Sequence, residues 1–176
     1  CVFFYWACRN ERVTEGILRI LLEYFPNAIR YADERGRLPL HIICRNNSQV
    51  ALGMVQLLID AYPKSLGRED NTAGYMPLHM LCLNKSLENS AAVDILGLLL
   101  ERCPEAVRHT ETNGALPIHL ACGLGRSPEF CRMLIEAYPG SERMPLSTGA
   151  LPLHLACISN TVATTEYLYK LYPECI

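Results

Sequence analysis

Apolar residues recur along the chain at the spacing of an amphipathic helix, in sets separated by roughly equal distances. They are Ile17, Ile20, Leu21 and Tyr24; Val55, Leu58, Ile59 and Tyr62; and Val93, Leu96, Leu99 and Leu100. Each set predicts a helix that buries one stripe. Each is followed by a Pro that prevents the helix from continuing, in Phe25-Pro26, Tyr62-Pro63 and Cys103-Pro104, and the same kind of pair recurs at Tyr138-Pro139 and Tyr172-Pro173. Capping residues predict where these helices begin: Ser127 before Pro128 and Glu129, and elsewhere Thr14, Asn47 or Ser48, and Ser90.

A shorter apolar run stands ahead of each set. Leu38-Pro39-Leu40-His41-Ile42-Ile43-Cys44, Met76-Pro77-Leu78-His79-Met80-Leu81-Cys82, Leu116-Pro117-Ile118-His119-Leu120-Ala121-Cys122 and Leu151-Pro152-Leu153-His154-Leu155-Ala156-Cys157 are four copies of one string. Val2 to Cys8 is a degenerate fifth, with Tyr5 in the His place. Pro near the start of each string suits the first turn of a helix, where its missing N–H has no intrahelical partner. Turn formers end these helices soon after the Cys: Arg9-Asn10, Arg45-Asn46-Asn47, Asn84-Lys85, Gly123-Leu124-Gly125 and Ser159-Asn160. Gly36, Gly74, Gly114 and Gly149 each stand five residues before the His, at the predicted tip of a loop that needs positive φ. A period of this length marks a stacked repeat array, with about five units at 1–36, 37–74, 75–114, 115–149 and 150–176.

Helix, turn, helix and a Gly-tipped finger leading into Pro-Leu-His resembles the ankyrin repeat, over essentially the whole chain. The resemblance implies a single all-α domain, a helix-turn-helix solenoid with hairpin-like finger loops. It also implies that His41, His79, His119 and His154 bond to the finger backbone and tie neighbouring units together. Asp33, Asn71 and Glu111, three residues before the Gly, look like the acidic residue usual there. The departures are regular. Leu38, Met76, Leu116 and Leu151 replace the family's Thr, which removes a capping hydroxyl and predicts weaker helix starts. Glu142 takes the slot of Ile29, Leu66 and Val107 in an irregular fourth unit. A tetratricopeptide array would have a tighter period and no finger.

Bulk composition narrows the function classes. Half of the 176 residues are apolar and the formal net charge is -2, so the chain can form a core and has no basic excess for phosphates. Nucleic acid is therefore not an expected partner, and no apolar run is long enough to insert in a membrane. The opening residues and the stop after Tyr172-Pro173 read as the edges of a slice from a longer chain.

Candidate chemistry centres on the repeated His-x-x-Cys, a pairing that elsewhere binds zinc or activates a nucleophile. Zinc needs four ligands at about 2.0–2.3 Å, whereas equivalent residues of stacked helices lie roughly 8–10 Å apart, so the set cannot be completed. That separation also exceeds the reach of a disulfide. The repeated cysteines are predicted to be small buried hydrophobes, and Cys1, Cys103, Cys131 and Cys175 belong to no motif. Nine free cysteines favour a reducing, intracellular setting, cytoplasmic or nuclear. No phosphate loop and no facing acid–base pair is present, so the expectation is a non-enzyme without cofactor or metal.

What remains is a protein–protein interaction scaffold; the alternative is an accessory or regulatory segment of a larger enzyme or channel. The ankyrin resemblance places the partner on the concave side, at finger tips and the ends of the first helices. Arg35, Arg37, Arg45, Asn46, Thr72, Tyr75, Asn84 and Asn113 are the candidate contacts, with Arg35, Arg37, Arg45 and Tyr75 as the anchor group and an acidic or mixed-charge protein segment as their complement. Val2, Phe3, Phe4 and Trp6 at one end, and Tyr167, Leu168 and Leu171 at the other, predict exposed apolar surface and end-to-end self-association.

Overall fold

The computed structural model describes residues 2–46, 48–159 and 161–175, without the side chains of Val2 and Cys175. Expectations that rest on Cys1, Asn47, Asn160 or those two side chains lie outside the described residues. Among the described residues ten α-helices follow one another in pairs: α1 (Val2–Arg9) and α2 (Glu15–Tyr24), α3 (Pro39–Asn46) and α4 (Leu52–Ala61), α5 (Pro77–Leu83) and α6 (Asn89–Arg102), α7 (Pro117–Gly123) and α8 (Pro128–Ala137), α9 (Pro152–Ile158) and α10 (Val162–Leu171). No strand occurs among the described residues.

Two rows build the solenoid. The short helices stack as α1, α3, α5, α7 and α9, and the longer ones as α2, α4, α6, α8 and α10. Between the rows lies one continuous core that includes Leu40, Ile43, Leu58, Leu78, Leu81, Leu96, Ile118 and Leu134. After α2, α4, α6 and α10 a short 3₁₀ turn opens on the predicted Pro, as in Pro26–Arg30, Pro63–Gly67 and Pro104–Arg108, whereas after α8 it starts at Ser141, two residues past Pro139. It inserts a buried pair, Ala28-Ile29, Ser65-Leu66 or Ala106-Val107, into that core. In the fourth unit Ser141 is buried in the same way, while Glu142 turns its Oε2 back to accept the Gly140 N–H at 3.0 Å.

The array is tied by two sets of polar struts. In the first, the imidazoles of His41, His79 and His119 use both nitrogens. Nδ1 accepts the N–H of the residue that precedes the helix, from Leu38, Met76, Leu116 and Leu151 at 3.0–3.2 Å, and so occupies a donor left over at the helix start. This fixes the proton on Nε2, which donates into the following unit: His41 to the Arg68 carbonyl at 2.9 Å, His79 to His109 at 3.1 Å and His119 to Met144 at 2.8 Å. His154 makes the first bond but no second among the described residues, and its ring is exposed.

The second set runs the other way, from a unit back to the C-terminal end of the preceding short helix. Asn84 Nδ2 donates to the Cys44 carbonyl at 3.0 Å, and the Ser159 hydroxyl donates to Cys122 at 2.8 Å. Between them the buried Arg126 guanidinium donates to Leu81 at 2.7 Å, to Cys82 and Leu87 at 3.4 Å, and to Asn84. A cation at a helix C-terminus is favoured because the unpaired carbonyls there carry partial negative charge.

Several expectations are corrected. On α2, Leu18 is buried and Ile17, Ile20 and Tyr24 are exposed. The helix is apolar at 17, 18, 20, 21 and 22, so two adjacent stripes satisfy the periodicity, and the inward one passes through Leu18. Thr14 and Ser127 cap as predicted, accepting from Ile17 and Phe130, but α4 follows Ala51 without a side-chain cap and α6 is capped by Glu88 rather than Ser90. At the ends, Phe3, Trp6 and Leu171 are exposed, Tyr167 is half-buried, and Phe4 and Leu168 are buried. Cys8, Cys44, Cys82 and Cys122 are buried, whereas Cys157 is exposed.

Candidate functional site

The fingers that close each unit carry the predicted loop chemistry. Gly36, Gly74, Gly114 and Gly149 all have positive φ, between 71° and 83°. In the first finger Asp33 Oδ1 accepts the N–H groups of Arg35 and Arg37 at 3.0 and 2.9 Å, and Oδ2 accepts Nε and Nη2 of Arg37 at 2.9 and 2.7 Å. Burial alone would raise the Asp33 pKa; the hydrogen bonds and charge of Arg37 outweigh it and hold the carboxyl below its ordinary value. In the second finger the same part is played by Asp70, not by Asn71: its carboxylate accepts from the Thr72 hydroxyl and from the N–H groups of Thr72, Ala73 and Tyr75. This finger is one residue longer, which moves the acid one place further from the Gly. The third returns to Glu111, which accepts from the N–H groups of Asn113 and Ala115. Neighbouring fingers are joined directly, Asn71 N–H to the Arg35 carbonyl at 2.8 Å and Thr112 N–H to Ala73 at 2.9 Å.

Beneath the first two fingers lies an open cleft of about 910 Å³. Six residues singled out from the sequence line it: Arg35, Arg37, Arg45, Asn46, Thr72 and Tyr75. Asn113 stands on the third finger away from the cleft, with its Nδ2 on Glu111 at 3.0 Å. Asn84 faces inward; its buried amide is the strut to Cys44, and its Oδ1 accepts the Ser86 N–H. The sequence reading missed Tyr5, Trp6, Arg9 and Tyr31, which complete the wall at the N-terminal end. Tyr5 was visible as the substitute for the signature His. Trp6 stood out as an apolar end residue, but its part in the cleft depends on how α1 stacks on α3.

Electrostatically the cleft is less balanced than its residue list suggests. Arg37 is consumed by Asp33, and Asp70 by its own finger. Arg9, Arg35 and Arg45 form no ion pair among the described residues; Arg9 lies over the Trp6 ring at 5.7 Å. Tyr75 is half-buried, and burial followed by the charges of Glu111 and Asp70 raises its pKa, while Arg45 opposes them. The phenol therefore stays neutral and able to donate at physiological pH. What the cleft offers a ligand is guanidinium charge set among aromatic rings, with no nucleophile beside a base.

The outer row carries a second groove, of about 700 Å³, between α4, α6 and α8. Its lining mixes Leu52, Val93, Leu98 and Met133 with carboxylates, two of which, Glu129 and Glu136, clamp Arg132 at 2.6 Å each. Such exposed pairs contribute little to stability. Among the described residues no three His, Cys, Asp or Glu side chains converge as metal ligands would. Among the described residues no helix is long and apolar enough to cross a membrane.

Comparison with known proteins adds a family. No curated protein matches the chain. Residues 99–156, from the end of α6 into α9, match the family model described as ankyrin repeats (many copies). The same helix pair, Gly-tipped finger and Pro-initiated short helix recur before and after that segment, and the matched segment belongs to the ankyrin repeat family.

Proposed function

We propose that residues 1–176 act as one ankyrin repeat domain, a non-catalytic scaffold that holds a segment of another protein in the concave cleft of the first three units. Ankyrin repeats are in general protein-interaction modules. The observation that carries the finer reading is the convergence of three guanidinium groups without ion pairs, Arg9, Arg35 and Arg45, with Trp6, Tyr31 and Tyr75 on one cleft. Arg, Trp and Tyr are the side chains that most often anchor interfaces, because they combine contact area with directed hydrogen bonds. The cleft lies at the upper end of small-molecule pocket sizes and is open to solvent, which suits a stretch of polypeptide. Its unpaired charge is complemented by an acidic or mixed-charge segment. The buried thiols fit a reducing cytoplasmic or nuclear setting.

The experiment is capture from cell extract with the wild-type chain, with Arg35→Ala/Arg45→Ala, and with Asp94→Ala/Glu101→Ala on the outer groove. Loss of the same captured proteins by the first variant alone, at unchanged helicity and melting temperature, supports the reading. Equal capture by a folded Arg35→Ala/Arg45→Ala chain removes the cleft as the site.

A further inference from the structure

The groove on the outer row takes no part in the concave cleft, and it is built by α4, α6 and α8, which have a neighbouring helix pair on both sides. These helices run in one direction and in register. Arg102 and Asp60 meet at 3.3 Å across the C-terminal ends of α6 and α4, and position 97 of α6 faces Met133 of α8. Aligned on the residues that close them, Cys103 and Tyr138, α6 and α8 carry one pattern. Asp94, Gly97, Leu98 and Glu101 on the first match Glu129, Arg132, Met133 and Glu136 on the second. The spacing i, i+3, i+4, i+7 places each set on a single helix face. Half-buried Val93, Leu98 and Met133, with exposed Leu52 of α4, give the groove an apolar floor.

Its rims are acidic. Glu129 and Glu136 share the one cation, Arg132, while Asp94 and Glu101 form no ion pair among the described residues. On each helix the two carboxylates are two turns, about 10.8 Å, apart. Neighbouring helices pack at roughly 8–10 Å, so the four charges flank the apolar floor on both sides. Helix stability does not account for their placement. Asp60, Glu101 and Glu136 each stand two residues before the closing residue of α4, α6 and α8, in the last turn, where the helix dipole disfavours negative charge.

Gly97 is likewise not explained by the chain's own packing. It stands inside α6 without a positive φ, and a Cβ there would meet only Met133 Cε, at an ordinary contact distance of 3.5 Å. Glycine is nevertheless a poor helix former, because it leaves the backbone freest in the unfolded chain. What the missing side chain provides is open floor in the groove, where the ridge of another helix can approach the α6 backbone.

We propose that this groove is a second docking surface and that its occupant is a basic amphipathic helix of another protein. The apolar side of that helix lies on Leu98, Met133 and the bare backbone at Gly97, and its Lys or Arg side chains pair with Asp94, Glu101 and the Glu129–Glu136 rim. Helices bound in grooves are held by anchors at i, i+3, i+4 and i+7, the spacing that both walls repeat. Apolar contact supplies affinity, and the carboxylates select a cationic helix over an acidic one. The required charge is opposite to that of the cleft, so the two surfaces take different segments.

Fluorescence anisotropy of the 176-residue chain tests this with a labelled peptide of Leu and Lys, about 18 residues or five turns long, patterned as an amphipathic helix. Wild type is expected to bind it about tenfold or more tighter than a scramble of the same composition, and not to bind the same pattern with Glu in place of Lys. Asp94→Asn/Glu101→Gln should weaken binding about tenfold or more, whereas Glu11→Gln/Glu105→Gln, which removes equal charge from exposed carboxylates outside the groove, should stay within about twofold. Gly97→Leu fills the floor and should also weaken binding about tenfold or more, with a melting temperature unchanged or raised, since Leu is the better helix former. Should Gly97→Leu fail to fold, the two isosteric charge variants decide alone. No binding by wild type, equal binding of the scramble, full binding by a folded Gly97→Leu chain, or equal losses in the two charge variants would each overturn the proposal. Self-association of the wild-type chain that Gly97→Leu abolishes would also overturn it, by giving the groove to a second copy.

Discussion

His79 donates its Nε2–H to the His109 carbonyl at 3.1 Å, and the two imidazoles meet edge to face with centroids 5.6 Å apart. That bond needs the proton on Nε2, while Nδ1, which accepts the Met76 N–H at 3.2 Å, must be unprotonated, so the pair of bonds needs the neutral ring, and burial favours that form. Burial, with a smaller contribution from the neighbouring His109, lowers the His79 pKa from 6.5 to about 4, against the opposing hydrogen bond to the His109 carbonyl. His41 and His119 are lowered in the same direction, again chiefly by burial.

Stability should therefore fall on mild acidification. Well above pH 6.5 His79 is neutral in both states and its full contribution is present; below it the unfolded chain takes up a proton that native His79 refuses until about pH 4. His79 alone accounts for roughly 3 kcal/mol over that window. Urea midpoints measured from pH 7 to pH 4 should decline, and His79→Gln should be less stable at pH 7 yet show a shallower decline. An equal slope in the variant would contradict the assignment.

Removing Arg126 should loosen the contact between the third and fourth units. Its guanidinium serves several carbonyls around the end of α5 and lies over the Phe130 ring at 5.3 Å, with no carboxylate partner among the described residues. Arg126→Ala strands those carbonyls and leaves a void, at a cost of about 2–4 kcal/mol. Arg126→Lys should recover little, because a single ammonium cannot reproduce the planar fork. A melting temperature within about 2 °C of wild type for either variant would contradict the strut.

Asn84→Ala separates a structural from a binding role. The amide is buried on the Cys44 carbonyl, so the substitution should destabilise by roughly 1–3 kcal/mol. Partner capture below the unfolding transition should be unchanged. Lost capture with unchanged stability would return Asn84 to the contact surface.

Thiol reactivity should follow the stacking. Burial pushes Cys8 and Cys44 up to about 12, and Cys82 higher still. Cys122 is also raised, first by its contact with Cys131, 3.9 Å away, and then by burial. Iodoacetamide labelling read by mass spectrometry should modify Cys157 first and reach the four buried signature cysteines only under denaturant. Early labelling of Cys44 or Cys82 in the native chain would contradict a closed core.

Much of this architecture was legible in the sequence because the repeat restates it. Pro39, Pro77, Pro117 and Pro152 start helices, the four glycines take positive φ, and six of the eight residues chosen from position in the unit share one cleft. Long-range partners were not legible. Nothing local separates the Leu18 stripe from the Ile17 stripe on an outer helix that is apolar on both sides. Asn84 looks like a surface turn residue until the neighbouring unit supplies the Cys44 carbonyl, and Arg126, immediately after a Gly-Leu-Gly turn, shows no sign of the carbonyls it will meet. Tyr5, Trp6 and Arg9 joined the cleft because the degenerate first string still stacks as an inner helix.

Site-specific photocrosslinking tests the scaffold account most directly. A benzophenone side chain placed at Arg35 or Asn46, in the cleft, is compared with one at Gln56 or Glu101, in the outer groove. The account predicts that captured partner crosslinks from positions 35 and 46, that an acidic or mixed-charge segment is recovered there, and that positions 56 and 101 give none. Crosslinking of the same partner from 56 and 101, with positions 35 and 46 silent, would contradict it.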